Sequence, residues 1–534
     1  MQSILPDHLA QIPLIQFVFE DDLLLLMDEN SEWFKILHDF PWQDYQEIAV
    51  LYYNALYEFN LLPTTAPELT GVARETEEQA KQRHMFERPT MQTDGDQLTP
   101  ILYQGKTFVP ELGCVSAEQV APGVVPNRLV GRKPKCFFGM LKAFLGATLL
   151  NQKPEPEQVD SLLRNNPTFA RACGYSPKNR ENYEQYSFTH IPSLRKLEQF
   201  DQIMTQFGLW DKIKKFQVND NLVHGVIEME NELAGDTTHY LAFSSFETLE
   251  YEDESGKTQK KSQSKTTKNC ACKNWEECGH EWILADEGAG SVAKAGGKLY
   301  WAHKAAILGF PRQGAILDII AVTDGASHDG QTLLPHVAHL FDLYPDVQSC
   351  VSRVLYDGAC DDAQLKRIFE ERYQVELKAS LNPRRKKDII KDLPRGIERI
   401  TPYGNPICLA GHVMDYKGAR YEAEKFIYAA PFNEQGESVC TGCPQRNDCC
   451  QSTTNGSRTI TIPFDRLPHI DSNDPPMAKR FKAIMRRRSS VERMIKRIKC
   501  DFSDERLAKR GNASFQAYLD KSLIAYHLLL KHLA

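Results

Sequence analysis

Apolar positions change their period twice along the chain. In the first hundred residues Trp33, Ile36 and Leu37, then Ile48, Leu51, Tyr52 and Leu56, recur at three- and four-residue intervals, the spacing of amphipathic helices. Phe137 to Leu150 is apolar on nearly all sides and predicts a buried helix. Pro154 to Leu163, Ser193 to Phe207 and Leu209 to Phe216 predict shorter amphipathic helices. Near residue 230 the character turns to strand. Ala234 to Ser244 is rich in β-branched and aromatic residues. Lys298 to Gly309 and Gly314 to Val322 read as an antiparallel pair, turning at Gly309-Phe-Pro-Arg-Gln-Gly314. A helix from about Gly330 to Leu343 follows, then a strand from Val351 to Tyr356 that ends at Asp357-Gly358. A helix from Asp361 to Tyr373 and a strand from Val375 to Leu381 complete the set.

Three antiparallel strands, helix, strand, helix, strand is the order of an RNase H-like core. The expected fold is therefore α/β, an RNase H-like mixed sheet with flanking helices, preceded by mainly helical N-terminal domains. Residues 1–125 form an acidic, mainly helical region, broken at Pro63–Pro67 and Pro122–Pro126. Residues 126–228 form a helical domain suited to DNA binding or to a purely structural bundle. Residues 229–534 form the catalytic domain, with Cys-rich insertions at 246–280 and 395–475. Within the first insertion, residues 256–268 read as a flexible basic linker by composition.

The apolar and charged fractions, 42% and 25%, are ordinary for a globular protein, and 534 residues leave room for two to four domains. The N-terminus carries acidic residues where a signal peptide needs basic ones, and Leu23–Leu26 is too short to span a bilayer. A cytoplasmic protein with no membrane partner is expected. The net charge of −7 argues at first against nucleic acid, but its distribution reverses the argument. Residues 1–100 hold 5 Lys/Arg against 18 Asp/Glu, whereas residues 479–510 hold 13 Lys/Arg against 4 Asp/Glu. Such asymmetry localises a phosphate-binding surface.

That surface centres on Met485-Arg-Arg-Arg-Ser-Ser-Val-Glu492-Arg-Met-Ile-Lys496-Arg-Ile-Lys499. On one continuous helix, Arg488, Glu492, Lys496 and Lys499 share a face, with Val491, Met494, Ile495 and Ile498 on an adjacent apolar one. A carboxylate in a phosphate-binding face suits an enzyme that holds a divalent cation against a nucleic-acid backbone. An ordinary surface helix with internal salt bridges is the other reading of the same residues.

Phosphoryl transfer on DNA uses two divalent cations about 4 Å apart, bound by carboxylates converging from separate elements. Asp236-Thr-Thr in the first strand, Asp357-Gly-Ala after a later strand, and Arg488-x3-Glu492-x6-Lys499 together resemble the DDE transposases of bacterial insertion sequences. His328-Asp329, before a helix, resembles a pair often found upstream of the second aspartate. The resemblance spans roughly residues 130–530. It departs at Met485, where the family has tyrosine. It implies that Asp236, Asp357 and Glu492 coordinate Mg²⁺ or Mn²⁺, and that Arg488, Lys496 and Lys499 contact DNA. Asp286, after the apolar run Trp282-Ile-Leu-Ala, is an alternative first carboxylate by topology alone.

Of the 14 cysteines, two groups have ligand-like spacing. Cys270, Cys272, Cys278 and His280 lie within one short stretch. Cys408 joins Cys440-x2-Cys443-x5-Cys449-Cys450, with His412 as a further donor. Either group suits structural zinc, which would fix a small insertion lacking its own core; reduced, non-ligating thiols or an iron–sulfur cluster at the second group are the alternatives. His239, His303 and His328 read as structural histidines.

The expected function is that of a DDE transposase: metal-dependent cleavage at transposon ends, then strand transfer into target DNA. Its partner would be double-stranded DNA, terminal inverted repeats and target alike, bound by a homodimer in a bacterial nucleoid. The alternatives are an RNase H-like nuclease without strand joining, and a domesticated, non-catalytic, zinc-stabilised DNA-binding protein.

Overall fold

The computed structural model describes residues 31–61, 137–175, 191–244, 246–252, 258–268, 279, 282–286, 288–293, 299–382, 393–449, 456–467, 470–502 and 504–534, with short strands at 102–103, 106–109 and 113–116. Cys270, Cys272, Cys278, His280 and Cys450 lie outside the described residues.

A mixed sheet forms the centre. Its strands are β1 (Glu232–Leu241), β2 (Leu299–Phe310), β3 (Ala315–Ala321), β4 (Arg353–Tyr356) and β5 (Glu376–Ala379). In space they run β3-β2-β1-β4-β5, and a short strand at Gly290–Ala293 pairs with the start of β2. β2 is antiparallel to both β1 and β3, whereas β4 is parallel to β1 and β5 parallel to β4. The tight turn at Gly314 (φ +72°) permits the β2–β3 hairpin, and helices make the crossovers that parallel pairing requires.

The helices beside this sheet are α1 (Leu209–Val223), α2 (Asp329–Leu343), α3 (Ala363–Ile368), α4 (Lys479–Arg488), α5 (Ser490–Asp501) and α6 (Asn512–Leu533). Side chains alternate across a strand, so β1 supplies two cores. Leu233 joins Val218 of α1 and Leu333, Val337 and Leu340 of α2. Tyr240 joins Val491, Met494 and Ile498 of α5 and Leu519 and Leu523 of α6. The apolar stripe expected around Glu492 is therefore the face that packs on the sheet.

The helical block before the sheet has its own core, in which Phe137, Phe144, Phe200 and Trp210 are buried with Ile36, Tyr45 and Tyr52. The helices at Phe137–Leu149, Pro156–Asn165 and Leu194–Gln206 lie close to their expected spans, while α1 runs seven residues beyond Phe216. A buried charge cluster ties α1 to the sheet. Lys214, 1% exposed, reaches Asp318 of β3 at 2.9 Å, Asp520 of α6 at 3.0 Å and Asp211 at 3.1 Å.

Three expectations need refining. Within 1–125 the described residues are mostly helix, at 32–39 and 42–61, and the expected region also holds a small three-stranded antiparallel sheet at 102–103, 106–109 and 113–116. The presumed linker 256–268 is largely strand: Thr258–Ser264 pairs antiparallel with Phe246–Glu252, and Thr266–Lys268 pairs with Trp282–Leu284. Its register sets Glu250 opposite Lys260, and Gln263 donates to Glu247 at 3.1 Å; composition resembling a linker pairs here because an acidic strand lies opposite. The single helix from Met485 to Lys499 is two helices, broken at Ser489. The Ser489 hydroxyl donates to the Arg486 carbonyl at 2.7 Å, a local bond that competes with the helical ladder.

Candidate active site: acidic residues beneath a basic helix pair

Parallel pairing places Leu355 beside Ala234, and Asp357, two residues further on, lies near enough to Asp236 to act on its charge. Neighbouring strands lie about 5 Å apart, which makes these two carboxylates close neighbours. Asp236 sits inside β1, whereas Asp357 lies just past the end of β4, where it accepts the Ala359 amide at 3.0 Å. Next to Asp236 on β1, Gly235 has no room for a side chain. A Cβ there would stand 2.8 Å from the Tyr356 ring.

A third acid joins the group. Asp329 opens α2, where the helix dipole favours a negative charge. Thr237 donates to its Oδ1 at 2.9 Å, and Lys304 of β2 donates to the same atom at 2.9 Å. The pattern His328-Asp329 was legible in sequence, but this placement was not. His328 itself caps α2 by accepting the Gly330 amide at 3.1 Å.

Electrostatics mark the group as tense. Burial pushes the Asp236 carboxyl up to about 6; Arg488 and the Thr237 amide pull it down, and Asp357 and Asp329 push it up again. Burial likewise raises Asp357, with the Ala359 amide opposing and Asp329 adding to the rise. Carboxylates that resist ionisation together are suited to a cation.

Two adjacent arginines of α4 reach down to β1. Arg487 binds Glu232 twice, at 2.5 and 2.6 Å, and Arg353 donates to Glu232 Oε1 at 2.7 Å. Arg488 makes one bond, from Nη2 to Asp236 Oδ2 at 2.7 Å, and its Nε is buried without a hydrogen-bond partner among the described residues. Glu232 and Asp236 are four apart on a strand and so face the same helix.

The remaining expected site residues fall out differently. Glu492 lies in the first turn of α5, exposed, with no side-chain hydrogen bond or ion pair to a described residue. Lys496 is exposed too. Lys499 is turned inward: it donates to the His239 carbonyl at 2.9 Å, pairs with Glu505 at 2.8 Å and lies over the Tyr240 ring. Asp286 is a structural node. It accepts from Ser244 at 2.9 Å and from the Gly511 amide at 2.9 Å, and lies 2.8 Å from His303 Nε2. Burial pushes its carboxyl up, but His303, Gly511 and Ser244 outweigh that and hold it below the usual range.

The second cysteine group belongs to a small β-rich unit between β5 and α4, with strands at Ile397–Ile400, Pro406–Cys408, Asp415–Arg420, Lys425–Ala429 and Thr459–Pro463. Cys408, Cys440, Cys443 and Cys449 line one pocket there with His412. Soft sulfur donors fit zinc in kind. Their arrangement is looser: Cys449 Sγ meets the Gly396 carbonyl and the Arg458 guanidinium. Among the described residues no group of three or more His, Cys, Asp or Glu is arranged to hold a metal ion. The same holds for the acidic group, whose donors fit a hard cation in chemistry while Arg488 occupies one Asp236 oxygen. No described helix is long and apolar enough to cross a membrane.

Comparison with known proteins gives one family match. Residues 407–528 match the family model described as "Transposase DDE domain", a span that holds α4, α5 and most of α6. None of the curated proteins matches the chain. Among solved structures, the chain is similar to piggyBac transposase in a cryo-EM synaptic complex with hairpin DNA. Identity is 8%, with 78% of this chain and 70% of that chain covered, at a TM-score of 0.29. A score at that level does not establish a shared fold.

Proposed function

We propose that this chain is a DDE transposase, an enzyme that cuts DNA at the ends of a mobile element and joins the freed 3′ ends to target DNA. The observation that carries the reading is the parallel register of β1 and β4, which directs Asp236 and Asp357 to the same end of the sheet, with Arg488 of α4 on Asp236. The family match over residues 407–528 supports it from the other end of the chain. We take the β3-β2-β1-β4-β5 order, antiparallel then parallel, as an RNase H-like core.

In this reading Asp236, Asp357 and Glu492 hold Mg²⁺ or Mn²⁺. Bound there, divalent cations would sharpen the attacking oxygen and neutralise the leaving one. The chain itself supplies position and charge. β1 and β4 bring the two aspartates near each other, and Asp329, anchored by Lys304 and Thr237, adds a third negative charge beside them. Arg488 and Lys496 face the phosphates, since guanidinium and ammonium donors orient a backbone without reading its sequence. Lys499 acts from inside, fixing the end of β1 through the His239 carbonyl. Glu492 stands in the first turn after the break at Ser489, so a small rotation of α5 about that break changes its approach to the aspartates. The partner is double-stranded DNA, bound by a homodimer because two ends must be brought together, in a bacterial nucleoid.

The test is incubation of the purified protein with end-labelled duplex carrying the element's termini, with Mg²⁺. Joined products that fall by roughly 10²–10³-fold in Asp236→Asn and Asp357→Asn, while DNA binding persists, support the reading. Cleavage without joining would make it a nuclease. Tight binding with no Mg²⁺-dependent chemistry would make it a non-catalytic DNA-binding protein.

A further inference from the structure

We propose that Arg488 is a built-in counter-ion of the acidic site, displaced when DNA arrives, so that DNA binding and divalent-cation binding are coupled through one side chain. The inference rests on the acidic group being the cation site proposed above.

The contrast between two adjacent arginines carries the argument. Arg487 is locked: it is bidentate to Glu232, and Arg353 donates to the same carboxylate. It anchors α4 to the sheet whatever Arg488 does. Arg488 is held by a single end-on bond to Asp236 Oδ2, and its buried Nε donor has no hydrogen-bond partner among the described residues. A buried donor left unmet costs free energy, so this guanidinium sits in an incompletely satisfied position. A phosphate offers two oxygens in the geometry of the guanidinium fork and would satisfy it.

Placement fits the same role. Arg488 Nη2 stands 2.7 Å from Asp236 Oδ2, so its charge lies where a cation's charge would be needed. It is the last residue of α4, next to the break at Ser489, and its side chain is 18% exposed. Movement there does not require α4 to leave the sheet. With Arg488 on Asp236, one oxygen of the cation site is taken. With Arg488 on a phosphate, Asp236 is left to Asp357 and Asp329 alone, and the need for a cation rises.

Coupling of this kind is reciprocal: whatever factor DNA adds to cation affinity, the cation adds to DNA affinity. Phosphate contacts are sequence-independent, so a short random-sequence duplex serves as the probe. Mn²⁺ binding to the full chain is measured by electron paramagnetic resonance, with and without that duplex, for wild type, Arg488→Gln, Arg488→Lys and Asp236→Asn. Without DNA, Arg488→Gln should bind Mn²⁺ about tenfold more tightly than wild type, a difference of about 1.4 kcal/mol. The duplex should tighten Mn²⁺ binding in wild type and Arg488→Lys but leave Arg488→Gln nearly unchanged. Equal Mn²⁺ affinity of wild type and Arg488→Gln, with binding lost in Asp236→Asn, overturns the coupling and leaves the cation site standing. Unaltered binding in Asp236→Asn overturns both. Unfolding curves matching wild type show that Arg487 keeps each Arg488 variant folded.

Discussion

Thr237 donates its hydroxyl to Asp329 Oδ1 at 2.9 Å, tying the first strand of the sheet to the start of a helix ninety-two residues later. Thr237 follows Asp236 and faces the opposite side of β1, so it fixes Asp329 without competing for Arg488. Under the proposed transposase function, this arrangement predicts that Asp329 supports strand transfer although it lies outside the expected triad. Asp329→Asn should reduce strand-transfer products by roughly 10–100-fold, the usual cost of losing a group that positions a metal ligand. Thr237→Val should give a smaller loss in the same direction, because Lys304 still holds Asp329. Quantified gel assays at saturating Mg²⁺ check both; full activity of Asp329→Asn would leave Asp329 a helix-start residue only.

Asp236 also predicts a pH signature. Burial raises its carboxyl from 3.8 to about 6, so the folded chain binds that proton more tightly than the unfolded chain. The stabilisation from the proton is fully present below about pH 4 and is lost as pH rises through about 6, amounting to ~3 kcal/mol. Without divalent cation, Asp236→Asn should therefore be more stable than wild type at pH 7.5 and about equal at pH 4. Mn²⁺ should remove the difference at pH 7.5 by stabilising the ionised wild type. Thermal unfolding of both proteins across that range measures it. A variant less stable than wild type at pH 7.5 would show that the Arg488 pair outweighs the cost of burial.

How much of this could be read beforehand follows from where each signal lies. The five central strands are legible from apolar, β-branched and aromatic residues between turn signals, with Asp236 inside the first and Asp357 just past the end of the fourth. The proximity of the two aspartates is not, since register is set between β1 and β4, more than a hundred residues apart. Asp286 is eligible by topology because it also follows an apolar run; its contacts with His303, Ser244 and Gly511 reveal a structural carboxylate. The break at Ser489 was hidden, because serine is tolerated in helices and the charge pattern continues across it. Lys499 looked like a phosphate ligand by spacing, yet its strand neighbours turn it inward. The strand character within 256–268 is not legible, because low-complexity composition says nothing about the acidic strand at Phe246–Glu252 opposite it.

Lys214 is the position where sequence is least informative and structure most demanding. It stands in a run of polar residues on α1, yet it is buried against Asp318, Asp520 and Asp211. Burial pushes the Asp318 carboxyl up, but Lys214 and His336 outweigh it and hold it far below the usual range, whereas burial drives Asp520 up to about 6. Removing the ammonium leaves a buried negative charge with only His336 beside it. Lys214→Ala should destabilise the protein by roughly 3–5 kcal/mol, the cost of breaking a buried pair from one side. Lys214→Ala combined with Asp318→Asn should recover part of that loss. Denaturant unfolding of the single and double variants measures it, and a single-variant loss under about 1 kcal/mol would show that water compensates the site.

The pocket between Cys408, Cys440, Cys443 and Cys449 yields the remaining prediction. Gly411 (φ +81°) makes the turn between Cys408 and His412, and Gly442 (φ +71°) makes the turn between Cys440 and Cys443. Both conformations favour glycine, so two tight turns bring soft donors to one place. Cys449 must turn from Gly396 and Arg458 to join them. The unit around them has only a modest core, centred on Phe426, Tyr428, Ile460 and Ile462, which is the setting in which a metal contributes most to folding. Elemental analysis of purified protein should find zinc at about one per chain, as a closed four-donor site requires. Cys440→Ser with Cys443→Ser should lose it and become sensitive to limited proteolysis within 393–467, while the sheet and α1–α3 stay resistant. Chelation of the wild type should reproduce that pattern. Protein free of zinc, with the serine variant as resistant as wild type, would show that these thiols are packed side chains and not ligands.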